Sequence, residues 1–90
     1  LLHTGRDAEA LEILQRAREL SSDHPTIYTH LGRAYMKMKK FQEAEDAFQA
    51  SIQINPFNPE VHHDLAAVYE VLGKTAAAAR EREVARKLVQ

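Results

Sequence analysis

Ninety residues with 44% hydrophobic and 28% charged side chains describe one small globular domain, or a piece of a larger one, rather than a disordered chain. A net charge of −1 gives no electrostatic case for nucleic acid or an anionic membrane, and no apolar run approaches the roughly 20 residues that span a bilayer. Cysteine is absent, which excludes disulfides and thiolate metal sites and leaves the compartment open, the cytoplasm slightly favoured.

The chain opens "LLHTGRDAEA", without the basic-then-apolar layout of a secretion signal. Apolar residues before a glycine usually close a helix, so Leu1-Leu2 is expected to end one helix, Thr4-Gly5 to turn, and residues 5–22 to form the next. In "PTIYTHLGRAYMKM", Ile27, Tyr28, Leu31, Ala34, Tyr35 and Met38 recur at three-and-four spacing and predict a helix over 25–38. Lys39-Lys40 is a short turn. Phe41, Ala44, Ala47, Phe48, Ser51, Ile52 and Ile54 then make a second stripe. Asn55-Pro56 ends it, because proline disfavours helical geometry in the residue before it, and Asn58 can cap the next helix with Pro59 preset at its first position. "PEVHHDLAAVYEVL", a Gly73-Lys74 turn and "TAAAAREREVARKLVQ" repeat the plan.

Pro25 and Pro59 lie 34 residues apart, and sliding the chain by that period aligns Leu31 with Leu65 and Tyr35 with Tyr69. It also aligns Ala10, Ala44 and Ala78; Ala17, Ser51 and Ala85; and Leu20, Ile54 and Leu88. Alternating helices with short turns imply antiparallel neighbours. Tyr28, Leu31-Gly32, Tyr35, Ala44, Phe48, Ser51 and Pro56, matched by Leu65-Ala66, Tyr69, Gly73, Ala78 and Ala85, make the chain resemble a tetratricopeptide repeat (TPR) protein over essentially its whole length. The resemblance implies an all-α, right-handed superhelix of about five antiparallel helices. It divides the chain into 1–24, the second part of a truncated repeat, a complete repeat over 25–58, and a final repeat over 59–90.

Four departures stand out: His62 replaces an aromatic or leucine, Ala66 a glycine, Lys39 a turn glycine and Arg82 a large apolar residue. If the turn needs a left-handed residue, Lys39 costs on the order of 1 kcal/mol. In this register Ala10, Leu11, Leu14, Ala17 and Leu20 are expected to face an absent partner helix, so the N-terminal face should seek another chain by self-association. Arg82 and Arg86 stand where the middle unit has Phe48 and Ile52, the charged outer face expected of a terminal repeat.

The resemblance further implies that the first helix of each repeat lines a groove for a protein or peptide. Those positions are Thr26, Thr29, His30, Arg33, Met36 and Lys37, then Glu60, His63, Asp64, Ala67, Glu70 and Val71. Residues 25–40 carry four bases and no acid, and residues 59–72 three acids and no base. The groove is therefore expected to be bipolar, unless the two helices neutralise each other. A clamp for a C-terminal carboxylate is disfavoured, because His30 and Asp64 stand where such clamps carry asparagine. A metal site built on His30, His63 and Asp64 is weaker than a reading of these as surface histidines, since adjacent His62 and His63 diverge by about 100° on a helix. No cofactor and no catalysis are expected, as there is no Gly-rich phosphate loop, HExxH or nucleophile triad spacing. The alternative is an accessory segment of a larger enzyme, such as a peptidase or glycosyltransferase.

Overall fold

A computed structural model describes residues 2–20 and 23–90, and among them five helices: α1 (Leu2–Leu20), α2 (Pro25–Lys37), α3 (Phe41–Ile54), α4 (Pro59–Val71) and α5 (Thr75–Leu88). Each packs on the next, most extensively α2 on α3 and α4 on α5, and α2 also touches α4.

The helix ends follow from local chemistry. Asn58 Oδ1 accepts a 3.0 Å hydrogen bond from the Glu60 amide, satisfying one free donor at the start of α4. Asn55, extended at φ −139, stops α3 just before Pro56. At the end of α2 the Lys40 amide donates to the Tyr35 carbonyl and Lys39 to Met36; at the end of α4, Lys74 donates to Tyr69 and Gly73 to Glu70. This paired bonding is the left-handed helix stop, and it forces φ 62 on Lys39 and φ 80 on Gly73. The turn that sequence assigned to Lys39 is therefore present, with its strain.

The turn expected at Thr4-Gly5 is absent. α1 runs unbroken from Leu2 to Leu20. One glycine costs a helix only about 1 kcal/mol against alanine, and no proline stands in this stretch to stop it. The left-handed stops at Lys39 and Gly73 form where two helices pack back on each other, whereas α1 packs on α2 alone among the described residues. Leu2 thus belongs to α1 rather than to a separate preceding helix; Leu1, Ser21 and Ser22 lie outside the described residues.

Two clusters form the core. Leu11, Leu31, Ala34 and Ala47 hold α1, α2 and α3 together, with Leu14 and Tyr28 against them. Ala44, Phe48, Val61, Leu65, Ala66, Val68, Tyr69 and Ala78 join α3, α4 and α5. Leu11 and Leu14 pack on α2, while Ala10, Ile13 and Leu20 stay exposed. The repeat extends to polar detail: Gln15 Nε2 donates to Tyr35 Oη at 3.1 Å, and Gln49, 34 residues on, donates to Tyr69 Oη at 3.0 Å. α1 sits on α2 as α3 sits on α4.

Gly32 faces the Phe48 ring of α3. A Cβ there would lie 2.5 Å from the Phe48 ring, and Phe48 is 1% exposed with little room to move.

Candidate functional site

α2 and α4 lie side by side, and some of the predicted groove residues gather on one pocket there. Thr26, Thr29, His30, Arg33 and Glu60 converge with Ser51, Asn55 and Asn58 on one polar pocket of about 180 Å³. α2 supplies its floor and α4 its wall through Glu60, next to the Asn58 cap.

Within that pocket the side chains differ in what they have left to offer. Thr29 is buried: its hydroxyl lies 2.8 Å from Ser51 Oγ, and both are within 3.1 Å of the Pro25 carbonyl oxygen. Two hydroxyl protons serve three contacts, so Thr29 joins α2 to α3 instead of meeting a partner. Arg33 donates to Asp64 Oδ2 from Nε at 3.0 Å and from a terminal nitrogen at 2.8 Å. The charges predicted to make the groove bipolar thus partly neutralise each other across α2 and α4. Glu70 is engaged too, accepting from Arg82 of α5 at 2.6 Å. Thr26, His30, Lys37, Glu60 and His63 remain exposed, and no ion pair engages Lys37 or Glu60 among the described side chains.

His62, which sequence marked only as a departure, is buried at 5% exposure. Its Nε2–H donates to the Pro56 carbonyl at 2.8 Å, and its Nδ1 pairs with Glu81 Oε1 of α5 at 2.6 Å. It ties the α3–α4 loop to α5, a structural task whose only sequence signal was a histidine on an apolar stripe. His62 is thereby kept apart from His63, and among the described residues no group of three or more His, Asp or Glu converges as a metal site would require. No helix among the described residues is long and apolar enough to cross a membrane.

Two tetratricopeptide repeat family profiles match, over residues 25–58 and 47–80, together more than half of the chain. The chain belongs to the tetratricopeptide repeat family. Tetratricopeptide repeat protein 17 of Homo sapiens is 29% identical over 65 residues, which is 72% of this chain and 6% of that protein; the Rattus norvegicus protein matches equally over 5% of its length. The chain therefore spans a small fraction of these curated relatives. Among solved structures, one of MamA covers 97% of this chain and 51% of its own at TM-score 0.90 and 24% identity; another covers 96% and 49% at TM-score 0.87. The fold is an all-α TPR solenoid, and repeats of this family act as protein–protein interaction modules.

Proposed function

We propose that this TPR module binds a peptide or protein along the face shared by α2 and α4 and performs no chemistry of its own. The observation that carries the reading is the polar pocket in which Thr26, His30 and Glu60 stand open beside an Arg33–Asp64 pair held at fixed geometry. A pre-paired arginine and aspartate cost a partner little ordering entropy, and they present donors and acceptors at fixed positions. Lys37 on α2 and Glu60 on α4, which make no ion pair among the described side chains, favour a ligand with an acidic and a basic residue at opposite ends.

Selection from a random peptide display library tests this. The expected binders carry both charges, and Glu60→Lys with Lys37→Glu abolishes their capture while leaving the circular dichroism melt unchanged, because both residues are exposed. Binders indifferent to both substitutions would move the site to another face. Arg33 and Glu70 are poorer probes, since reversing either also breaks a pair within the fold.

A further inference from the structure

A second cavity, of about 260 Å³, lies on the other side of α2 from the polar pocket. At about 100° per residue, Tyr28, Leu31 and Tyr35 on its floor point away from Thr26, His30 and Arg33. α1 bounds it through Arg18, and α3 through Ala47 and Ala50. The two sites share no lining residue, so this one stands apart from the groove.

The cavity exists because two side chains are short. The Gln15–Tyr35 bond recurs as Gln49–Tyr69, so α1, α2 and α3 share a register with α3, α4 and α5. In that second unit the places of Ala47 and Ala50 belong to Glu81 and Val84, and those of Arg18 and Tyr28 to Ile52 and His62. There a basic ring meets a carboxylate, His62 Nδ1 lying 2.6 Å from Glu81 Oε1 with the residue 5% exposed. α2, the helix ahead of that unit, packs on α3 and α4 but does not reach α5. This position in the fold is thus bounded by the three helices of one unit and filled by their own side chains.

We infer that in the first unit the cavity receives an arginine side chain of a partner protein, whose guanidinium meets Glu43 and Asp46 of α3. Size points to one long side chain, since sites for drug-sized ligands run to roughly 300–1,000 Å³. Leu31, the two alanines and the tyrosine rings offer apolar surface to an arginine stem, and a weakly hydrated guanidinium stacks on tyrosine faces. Charge sets the sign. Glu43 and Asp46 stand exposed one turn apart, and no ion pair engages either among the described side chains. Asp46 accepts one 3.3 Å bond from Gln42 of its own helix, which leaves its charge unpaired. Arg18 opposes them from α1, so these three side chains sum to a negative charge. A planar guanidinium can give separate donors to two carboxylates, where an ammonium is a point charge.

Three capped tripeptides test this, with arginine, lysine or the neutral isostere citrulline between two glycines, titrated into the 90-residue chain and followed by NMR. The arginine peptide is expected to shift the Tyr28, Ala47 and Ala50 signals at millimolar concentration. It should bind about tenfold more tightly than the citrulline peptide at low salt, with the gap closing as salt rises. The lysine peptide should fall between them. Glu43→Gln with Asp46→Asn should remove the preference for arginine over citrulline, and Arg18→Gln should widen it, both without altering the melt because all three residues are exposed. Ala50→Val, which copies Val84, should weaken both peptides by filling the space. Equal binding of arginine and citrulline, tighter binding of lysine, shifts confined to Thr26, His30 and Glu60, or no shift at millimolar peptide overturns the proposal. So does a concentration-dependent dimer that the Glu43→Gln, Asp46→Asn variant dissolves, because the arginine then comes from a second copy.

Discussion

The helix pairs α2–α3 and α4–α5 reach the same backbone arrangement through different interiors. In the first pair α2 meets α3 with Gly32 against the Phe48 ring and Thr29 and Ser51 joined by a hydrogen bond. In the second pair Ala66 replaces Gly32 and Arg82 replaces Phe48, and Arg82 turns outward to Glu70 at 2.6 Å while His62 and Glu81 lock α4 to α5. Only Ala78 and Ala85 of α5 are buried, against five residues of α3. The TPR geometry thus tolerates exchanging volume for polar fixation, provided that the small positions, Ala44 and Ala78 or Ser51 and Ala85, stay small.

Truncating the equivalent residues should expose this difference most strongly. Phe48→Ala is expected to cost about 3–5 kcal/mol, a large part of the roughly 5–15 kcal/mol that holds a small domain together. Arg82→Ala, which removes only a half-exposed ion pair, should cost about 0.2–1 kcal/mol. Urea denaturation of both variants measures the ratio, and equal losses would mean that the two interiors are not different in kind. Next in size is His62→Leu. It leaves the Pro56 carbonyl without its donor and a partly buried Glu81 without its hydrogen-bond partner, for a loss of about 1–3 kcal/mol by the same measurement. Glu81→Gln keeps a hydrogen-bond partner for His62 Nδ1, whether that nitrogen donates or accepts, and should lose less.

Much of this fold was legible because it is local. The helix spans from Pro25 onward, the Asn58 cap, the Asn55-Pro56 stop and the 34-residue period all rest on neighbours within a turn or on repetition. Thr4-Gly5 was misread because a glycine permits a helix stop without compelling one, and the packing helix that selects the stop is absent among the described residues. The His62–Glu81 lock spans 19 positions and the Arg33–Asp64 pair 31, so no local pattern announces either. Charge counting found opposite signs on α2 and α4, but whether opposite charges meet each other or a partner is decided by side-chain reach, which the pattern does not contain.

A smaller effect sharpens the comparison at the turns. Lys39 and Gly73 occupy the same left-handed position at φ 62 and φ 80. Lys39→Gly should stabilise the protein by about 1 kcal/mol, and Gly73→Lys should destabilise it by a similar amount, both read from urea midpoints. A destabilised Lys39→Gly would mean that the Lys39 side chain contributes something that offsets its backbone strain.

The smallest expected difference concerns the residue after each turn. Lys74 donates from Nζ to buried Glu45 at 2.9 Å, and that hydrogen bond holds its ammonium above the usual lysine range. Lys40 is its equivalent, but the position matching Glu45 is Leu11, so no carboxylate awaits it there. A pKa raised in the folded state means that the pair's stabilisation is complete below the unfolded lysine pKa of about 10.4 and fades as pH climbs through the higher folded value. Wild-type protein should therefore lose more of its melting temperature between neutral pH and strongly alkaline pH than Lys74→Gln does. Lys40→Gln should follow the wild-type profile over the same range. Parallel profiles for all three proteins would show that Glu45 is buried for its packing and its bond to Gln49 at 3.2 Å, with the lysine contributing nothing that pH can remove.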